Sequence, residues 1–295
     1  MSVTLTIGAA IPAYQNAGNL RQCLTSIREI APAVFQRTVV VDDSGDGRLA
    51  HELQPEFPSI VWSVHERNMG FGASATEAVL SCRADIVTLL NDDVQLLNDP
   101  SAHLAAAFAD PNLFAVTFQS RREDGSFREG AKRLIWPMGF PRILHNERDQ
   151  CAPANGVYPS SYAVGGHAAF HLEKFRALSG FDSLFEPFYW EDVNLSLRAR
   201  AQGWSITYCP DCVVMHGDGG AIRSSQTTAR IREITLRNRL LFAWRHSPAH
   251  LRPLYFMSLA YHLLSSSLSA DRTFLHAYKA ARQRWQASLS SRTSP

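Results

Sequence analysis

The sequence contains no uninterrupted apolar run long enough to cross a membrane, which takes about 20 residues. Its longest apolar-leaning stretch, 254–268, is interrupted by His262 and several serines. The segment MSVTLTIGAAIPAYQNAGNL at the start has no basic lead and no signal-like apolar core, so we expect no export signal. Together with an apolar content of 45%, these absences favour a soluble globular protein of the cytoplasm.

Cysteine is scarce, and three of the five residues, Cys23, Cys82 and Cys151, are isolated in the sequence. Cys209 and Cys212 have the CxxC spacing of zinc and redox sites, but no second pair and no His-x-x-His accompanies them. A zinc or redox site stays an alternative there. The scatter favours ordinary thiols in a reducing compartment.

Neither sign of charge dominates, since 29 Lys and Arg stand against 27 Asp and Glu, but the charges are unevenly placed. From Arg223 to the end there are 12 Lys and Arg and only two acids, so this part carries +10 and the rest −8. We expect no nucleic-acid partner. The basic end predicts a peripheral contact with an anionic membrane at its inner face. Two alternatives are solvated arginines and a homodimer interface along 254–268.

Apolar, β-branched runs alternate with helical patterns through most of the chain. We predict strands at 3–11, 37–41, 60–64, 86–90, 113–119, 162–164 and 206–209, and helices at 20–30, 71–81, 101–108, 172–178 and 191–202. This alternation predicts an α/β fold with a mostly parallel sheet and helices on both faces.

The pattern is lost between residues 121 and 159, and it becomes wholly helical toward the end, at about 225–246, 249–268 and 272–289. A structureless segment of such length inside a domain is usually functional. We therefore divide the chain into an α/β domain over 1–222, with halves 1–100 and 101–222, and a helical region over 223–295.

Carboxylates and polar residues follow the predicted strands at the point where each strand ends. Asp42 and Asp43 close the second strand, and Pro12-Ala13-Tyr14 closes the first. In open α/β sheets, ligands bind outside the carboxyl ends of the strands. A carboxylate there can accept a hydrogen bond from a nucleobase while Tyr14 packs on the ring, although Asp-Asp-Ser-Gly also forms a good turn.

Asn91-Asp92-Asp93 follows the fourth strand. Two adjacent acids at a buried strand end repel each other, and a bound cation removes that cost. Oxygen ligands favour Mg²⁺ or Mn²⁺, held partly by a substrate phosphate. The alternative is a cap for the helix that begins near Pro100.

Asn68-Met69-Gly70 lies at a strand-to-helix junction, where glycine allows close approach to an anionic ligand. A tight turn explains it about as well.

Glu191 and Asp192 follow an aromatic run and begin a helix, where acids also complement the helix dipole. A carboxylate beside an apolar wall can serve as a general base if its pKa is raised. His216 ends a further apolar run and is either a metal or phosphate contact or a structural residue.

Taken together, these residues resemble the family 2 glycosyltransferases, and the resemblance covers most of residues 3–246. It rests on the order and spacing of Pro12-Ala13-Tyr14, Val41-Asp42-Asp43-Ser44, Asn68-Met69-Gly70, Asn91-Asp92-Asp93, Gly165-Gly166 with Phe181-Asp182, the stretch Glu191 to Arg198, and His216. Arg237-Asn238-Arg239 is similar to the bacterial rhamnosyltransferase-like branch.

The resemblance implies the GT-A fold, a Rossmann-like mixed sheet with helices on both faces, followed here by a C-terminal helical extension. It implies transfer of a hexosyl or deoxyhexosyl group, with inversion, from a UDP- or dTDP-linked sugar to a glycan or lipid-linked acceptor in cell-surface glycan synthesis. The cofactor would be Mg²⁺ or Mn²⁺. Residues 1–100 would bind the nucleotide and residues 101–222 the acceptor.

The same resemblance implies roles for individual residues. Asp192 would be the base, oriented by Glu191. The nucleotide would contact Pro12, Ala13, Tyr14, Asp42, Asp43, Asn68, Gly70 and Asp92. The metal would contact Asp93, Asn91 and His216. The sugar and acceptor would border Gly165, Gly166 and Trp190.

Three positions depart from the family pattern: Asn91 replaces the first acid of the metal motif, Thr76 replaces a common Asn, and Asn194 replaces an acid after Glu191-Asp192. Two alternatives therefore stay open. One is a nucleotidyltransferase of similar fold, although the segment from Ile11 to Leu20 lacks the Lys or Arg of a phosphate loop. The other is a degenerate, non-catalytic nucleotide-sugar-binding protein.

Overall fold

The computed structural model describes residues 5–144, 157–217 and 226–293. The strands in these ranges are β1 Ile7–Ala13, β2 Thr38–Asp42, β3 Val61–Val64, β4 Ile86–Leu90, β5 Val94–Leu96, β6 Leu113–Arg121, β7 Phe127–Glu129, β8 Arg133–Ile135, β9 Arg142–Leu144, β10 Tyr158–Pro159, β11 His167–His171 and β12 Ser205–His216. The helices are α1 Ala17–Ile30, α2 Pro32–Phe35, α3 Arg48–Leu53, α4 Phe71–Ser81, α5 Ser101–Ala107, α6 Leu172–Ala177, α7 Glu191–Ala201, α8 Thr228–His246, α9 Arg252–Leu268 and α10 Thr273–Thr293.

The main sheet has the strand order β10-β12-β6-β11-β4-β1-β2-β3, with β5 beside β12 and β7 beside β6. Strands β4, β1, β2 and β3 are parallel, and the register places Ala13 beside Asp42. Strand β11 is antiparallel to both its neighbours, so the sheet is mixed. Because β1 lies between β2 and β4, the strand order reverses at β1, and a crevice opens at the carboxyl ends of these parallel strands.

The helices cover both faces of this sheet, as the sequence predicts. Ala9 and Ile11 of β1 pack into a core with helices α1, α2, α3 and α5, whereas Ala10 belongs to a second core with α4, α6 and α7. Alternate side chains of a strand point to opposite faces, and central parallel strands are apolar on both. This is why the runs in β1, β2 and β4 are almost continuously apolar.

The C-terminal helices pack on the rest of the protein through a third core. It joins Leu240, Leu241 and Phe242 of α8 to Trp190 and Phe140. Several arginines of the basic end are used for this attachment. Arg245 pairs with Asp182, and Arg284 donates to the carbonyl oxygens of Ser183 and Leu184.

One predicted strand, 162–164, is wrong, because these residues form an irregular segment and the strand starts at His167. The Ala163 N–H donates to the Ser196 hydroxyl at 3.1 Å, and the Val164 N–H donates to the Thr117 hydroxyl at 3.3 Å. Side-chain acceptors thus replace a strand ladder. An apolar run of three residues is too short to show whether a strand or an irregular segment forms.

Two other regions differ from the prediction. The segment 121–159 contains short strands, although residues 145–156 lie outside the described ranges. Strand β12 joins two predicted apolar runs, because a register shift between Cys209 and Val213 accommodates Cys-Pro-Asp-Cys. The described cysteines form no disulfide with one another, and Cys151 lies outside the described ranges.

Among the described residues, no helix is both long and apolar enough to span a bilayer.

Candidate active site

A cavity of about 1200 Å³ opens at the carboxyl ends of β1, β2 and β4. It collects nearly every site residue predicted from the sequence. Those lining it are Pro12, Ala13, Tyr14, Asp43, Asn68, Gly70, Asn91, Asp92, Asp93, Gly165, Gly166, Trp190, Glu191, Asp192 and His216. Side chains that are up to about 200 positions apart in the sequence therefore face one space.

Asp42 is not among the lining residues, so its predicted place in the nucleotide pocket needs correction. Its carboxylate is fully buried and accepts hydrogen bonds from the N–H groups of Ser44 at 3.0 Å and Ala50 at 2.9 Å. Asp42 therefore holds the turn after β2 and the start of α3. A side chain one residue from its neighbour on an extended strand points to the other face.

Asp43 faces the cavity and fixes the neighbouring glycine loop. Its carboxylate accepts the N–H groups of Met69 at 2.7 Å and Gly70 at 2.9 Å and contacts His65 Nδ1 at 2.7 Å. Gly70 has a φ of +87°, a conformation that glycine adopts without strain. His65 Nε2 also contacts Glu77 Oε2 at 2.9 Å. Sequence reasoning missed this chain of contacts from Asp43 through His65 to Glu77 because it joins residues from different elements.

The two acids after β4 have different surroundings. Asp92 accepts the Tyr14 N–H at 2.9 Å, and burial, reinforced by the charge of Asp93, raises its pKa to about 7. Asp93 Oδ1 is buried, has no hydrogen-bond partner among the described residues, and lies 3.4 Å from His216 Nε2. Asp92 thus ties β4 to the end of β1, while Asp93 lines the cavity and has one buried oxygen without a described hydrogen-bond partner.

Gly165 and Gly166 position two cavity side chains, Asp192 through a hydrogen bond and Asn91 by leaving room for it. The Gly165 N–H donates to Asp192 Oδ2 at 3.2 Å. A Cβ on Gly166 would lie 2.6 Å from the Asn91 side-chain nitrogen, so only glycine lets Asn91 occupy its position.

Asp192 is the second residue of α7 and also accepts the N–H of Val193 at 2.7 Å. Burial raises its pKa to about 6. Glu191 is buried beside it, and burial together with the charge of Asp192 raises the pKa of Glu191 well above its usual range. No hydrogen bond joins the two carboxyl groups among the described contacts, so backbone N–H groups, rather than the predicted Glu191, orient Asp192.

The segment before α7 is strained. Tyr189 and Trp190 have φ values of +70° and +77°, which non-glycine residues rarely adopt. Asn238 of α8, fully buried, donates to the carbonyl oxygens of Phe188 and Tyr189, both at 2.9 Å. Asn238 therefore holds this segment together with Arg237, whose guanidinium donates to the Glu186 carbonyl oxygen. Strain of this kind is often found at functional sites.

We expect Asn238→Ala to destabilise the protein by about 1–3 kcal/mol, because it leaves buried carbonyl oxygens without a donor. Denaturant unfolding measures this effect. Arg232→Ala is the matched control, since Arg232 lies on the same helix but is 62% exposed in its ion pair with Asp271. An unfolding free energy for Asn238→Ala equal to that of Arg232→Ala would contradict the assignment.

Two departures from the family pattern have structural partners. Thr76 accepts the Phe181 N–H at 3.0 Å. Asn194, fully buried, contacts His246 Nε2 at 2.9 Å, and burial lowers the pKa of His246 to about 4. An amide therefore faces a neutral imidazole, and neither Thr76 nor Asn194 lines the cavity.

Sequence reasoning missed a cluster of three residues near the cavity, Glu129, Lys132 and His167, of which Glu129 lines it. His167 of β11 is fully buried and neither ring nitrogen has a hydrogen-bond partner among the described residues. Its Nε2 lies 3.6 Å from Glu129 Oε1, and Glu129 also pairs with buried Lys132. Burial lowers the pKa of His167 to about 3, which makes it a neutral imidazole. No local sequence motif marks these residues, because Glu129 falls in segment 121–159, which has no regular pattern, and His167 lies on a different strand.

Residues 9–171, more than half of the 295, match the model of glycosyl transferase family 2, and the chain belongs to this family. An uncharacterized protein of Mycobacterium tuberculosis is 25% identical over 137 residues, which are 46% of this chain and 41% of that protein. The chain thus spans less than half the length of the curated relative that it matches.

Two solved structures have a similar fold. A crystal structure of GalNAc-T7 with UDP, GalNAc and Mn²⁺ superposes with a TM-score of 0.61 at 16% identity, over 82% of this chain and 48% of that one. The mannosyltransferase PcManGT of Pyrobaculum calidifontis, in complex with GDP-Man and Mn²⁺, has a TM-score of 0.55 at 17% identity, over 100% of this chain and 77% of that one. The fold is therefore that of the GT-A glycosyltransferases.

Proposed function

We propose that the protein is an inverting glycosyltransferase that moves a sugar from a nucleoside-diphosphate sugar to a hydroxyl acceptor. The observation that carries this proposal is that Asp93 and Asp192 line the same cavity, one with an unsatisfied oxygen and the other with a raised pKa. A cation site and a general base in one crevice are the two functions that such a transfer needs.

The donor nucleotide would occupy the side of the cavity formed by β1 and β2. Tyr14 and Asp43 would contact the base, and Asn68 and Gly70 the nucleotide beyond it. Pro12 and Ala13 form the floor. The donor is proposed to be UDP- or dTDP-linked. GalNAc-T7 is solved with UDP and the Pyrobaculum enzyme with GDP-Man, so the fold accepts more than one base.

A divalent cation, Mg²⁺ or Mn²⁺, fits beside Asp93. The buried Asp93 oxygen has no described hydrogen-bond partner, faces His216 Nε2 at 3.4 Å, and has Asn91 nearby in the cavity wall. When bound, the cation would offset the charge on the diphosphate leaving group. Asp93 would hold it with His216 and Asn91, and Asp92 would brace the loop through Tyr14.

Asp192 would remove the proton from the acceptor hydroxyl as that oxygen attacks the anomeric carbon from the side opposite the diphosphate. The Gly165 and Val193 N–H groups fix its carboxylate. Gly165, Gly166 and Trp190 border the space that the sugar and acceptor would share. The acceptor would also meet segment 121–159, of which Arg128, Glu129 and 141–143 line the cavity.

We also propose the finer assignments as hypotheses: transfer of a hexosyl or deoxyhexosyl group, the rhamnosyltransferase-like branch, and a role in cell-surface glycan synthesis. Residues 1–222 would form the catalytic domain and 223–295 the helical region. The branch assignment rests on the sequence resemblance of Arg237-Asn238-Arg239, in which Arg237 and Asn238 contact the segment before α7.

The acceptor is proposed to be a glycan or a lipid-linked sugar, reached at an anionic membrane through helix α9. This helix exposes five large apolar side chains, 62–81% accessible: Phe256, Met257, Tyr261, Leu264 and Leu268. Flotation with anionic liposomes at low and high salt tests this contact. Liposome binding that weakens at high salt supports the membrane contact. A dimer that does not bind liposomes would instead assign the apolar face of α9 to contact with a second copy of the chain.

A panel of UDP-, dTDP- and GDP-linked hexoses and deoxyhexoses, with Mn²⁺ or Mg²⁺, tests the proposed function. We expect release of nucleoside diphosphate from a subset of donors, abolished by EDTA. Release of pyrophosphate would instead identify a nucleotidyltransferase. Nucleotide-sugar binding without any turnover, even with acceptor extracts, would identify a non-catalytic relative.

A further inference from the structure

We propose that Glu129, His167 and His216 form a binding site for a divalent transition-metal ion that fills without nucleotide. The three residues come from the ends of three strands, β7, β11 and β12, each of which pairs with β6, and Glu129 and His216 line the cavity. One ligand atom from each lies within 4.8 Å of the others.

The burial of His167 is the first argument. Its side chain is fully buried, and neither ring nitrogen makes a hydrogen bond to the described residues. A buried polar group without a partner costs about 1–3 kcal/mol, so such a group calls for an explanation. A metal ion at Nε2 would satisfy one of the two nitrogens, whose nearest carboxylate oxygen, Glu129 Oε1, lies 3.6 Å away.

The second argument is the way in which the strands hold the three side chains. His167 stands opposite Leu90, the last residue of β4, and His216 stands opposite Val94 of β5. The Arg128 guanidinium donates to the carbonyl oxygens of His216 at 2.6 Å and Gly217 at 2.7 Å. Strand β7 is therefore fastened to the end of β12, which places Glu129 beside both imidazoles.

The distances suit coordination. Glu129 Oε1 lies 3.6 Å from His167 Nε2, and the two imidazole rings lie 5.6 Å apart between centroids at an interplanar angle of 68°. Tetrahedral ligands bonded to one ion at about 2.1 Å lie about 3.4 Å apart. The three ligand atoms, now within 4.8 Å of one another, would have to approach by up to about 1.4 Å. Lys132 contacts Oε2 of Glu129, the other oxygen of that carboxylate.

The donor set identifies the class of ion. Two imidazoles with one carboxylate suit Zn²⁺, Co²⁺ or Fe²⁺, whereas Mg²⁺ prefers oxygen donors alone. Asp93 Oδ1 lies 3.4 Å from His216 Nε2. The proposed site therefore adjoins the one proposed for the donor diphosphate and shares His216 with it. It differs in needing neither nucleotide nor Asp93.

Titration of the metal-stripped full chain with Co²⁺, without nucleotide and followed by visible absorption and calorimetry, tests the proposal. We expect one Co²⁺ per chain, displaced by Zn²⁺ and not by Mg²⁺. His167→Gln and Glu129→Gln should each weaken Co²⁺ binding by at least about tenfold, since even the loss of residues that only support ligands costs about 10–100-fold. Circular dichroism checks that each variant is folded. Because there are two variants, the test still stands if one of them misfolds.

Two further variants separate this site from its surroundings. His171→Gln, on the same strand but outside the cluster, should bind Co²⁺ like the unchanged chain. Asp93→Asn should keep Co²⁺ binding in the absence of nucleotide, even if it loses metal-dependent nucleotide binding. Unchanged Co²⁺ affinity in folded His167→Gln and Glu129→Gln, or loss of Co²⁺ in Asp93→Asn alone, would overturn the proposal. Neither readout requires sugar transfer, so the proposed function can fail independently.

Discussion

Asp192→Asn is expected to lower kcat by a factor on the order of 10²–10⁴, the usual contribution of a positioned general base. The carboxamide oxygen can accept one of the two N–H groups, of Gly165 and Val193, that now reach the two carboxylate oxygens, so the side chain keeps one of its two backbone hydrogen bonds. What it loses is the ability to take a proton. Steady-state transfer with the donor found in the panel measures this loss.

Donor binding provides the internal check, because the base acts after the nucleotide is bound. The affinity of Asp192→Asn for the nucleoside diphosphate should equal that of the unchanged chain. Asp211→Asn is the matched control, an acid-to-amide change at an exposed position outside the cavity. Near-normal turnover by Asp192→Asn would show that another group is the base.

The pH dependence follows from the same residue. Burial raises the pKa of Asp192 to about 6, and only the ionised form can accept a proton. The kcat/KM should therefore rise with pH below about 6, close to tenfold per pH unit, and level off above it. This rise of kcat/KM with pH should be absent from the residual activity of Asp192→Asn. If the rise persisted unchanged in the variant, a group other than Asp192 would be responsible for it.

Asp93→Asn is expected to abolish the dependence of nucleotide binding on metal. The carboxylate supplies the negative charge that holds a cation against the diphosphate, and an amide oxygen is a much weaker ligand for it. We expect the affinity gained on adding Mn²⁺ to fall by at least about tenfold, or about 1.4 kcal/mol. Calorimetric titration of UDP with Mn²⁺ and with EDTA gives this difference.

Asp99→Asn is the matched control for this variant, because Asp99 follows the same strand region but does not line the cavity. Its Mn²⁺-dependent affinity should be unchanged. If Asp93→Asn retained the full Mn²⁺ effect, the cation would be held elsewhere, and the assignment of Asp93 would be wrong.

The sequence predicted the sheet and the cavity well because the same local signal marks both. Apolar runs such as 86–90 end in acids, and in a parallel sheet such ends share one edge. The error at Asp42 was avoidable. On β2, Val40 faces the core of α1 and α3, and Asp42, two residues on, faces the same side. Its neighbour Asp43 faces the cavity.

Other features had no local signal. Asn238 reaches carbonyl oxygens 49–53 positions earlier, and Glu129 meets a histidine from a strand that is distant in sequence. Such contacts depend on how α8 packs and how β7 pairs, and neither follows from periodicity. The failed strand at 162–164 has the same origin, since hydroxyl groups of Thr117 and Ser196 replaced the expected ladder.

The most direct test is a crystal structure with Mn²⁺ and UDP or dTDP, in which anomalous scattering locates the ion. We expect the metal within about 2.5 Å of an Asp93 oxygen, the base against Asp43 and Tyr14, and the diphosphate pointing toward Asp192. A nucleotide bound outside this cavity, or a metal-bound diphosphate directed away from Asp192, would contradict the proposed single active site.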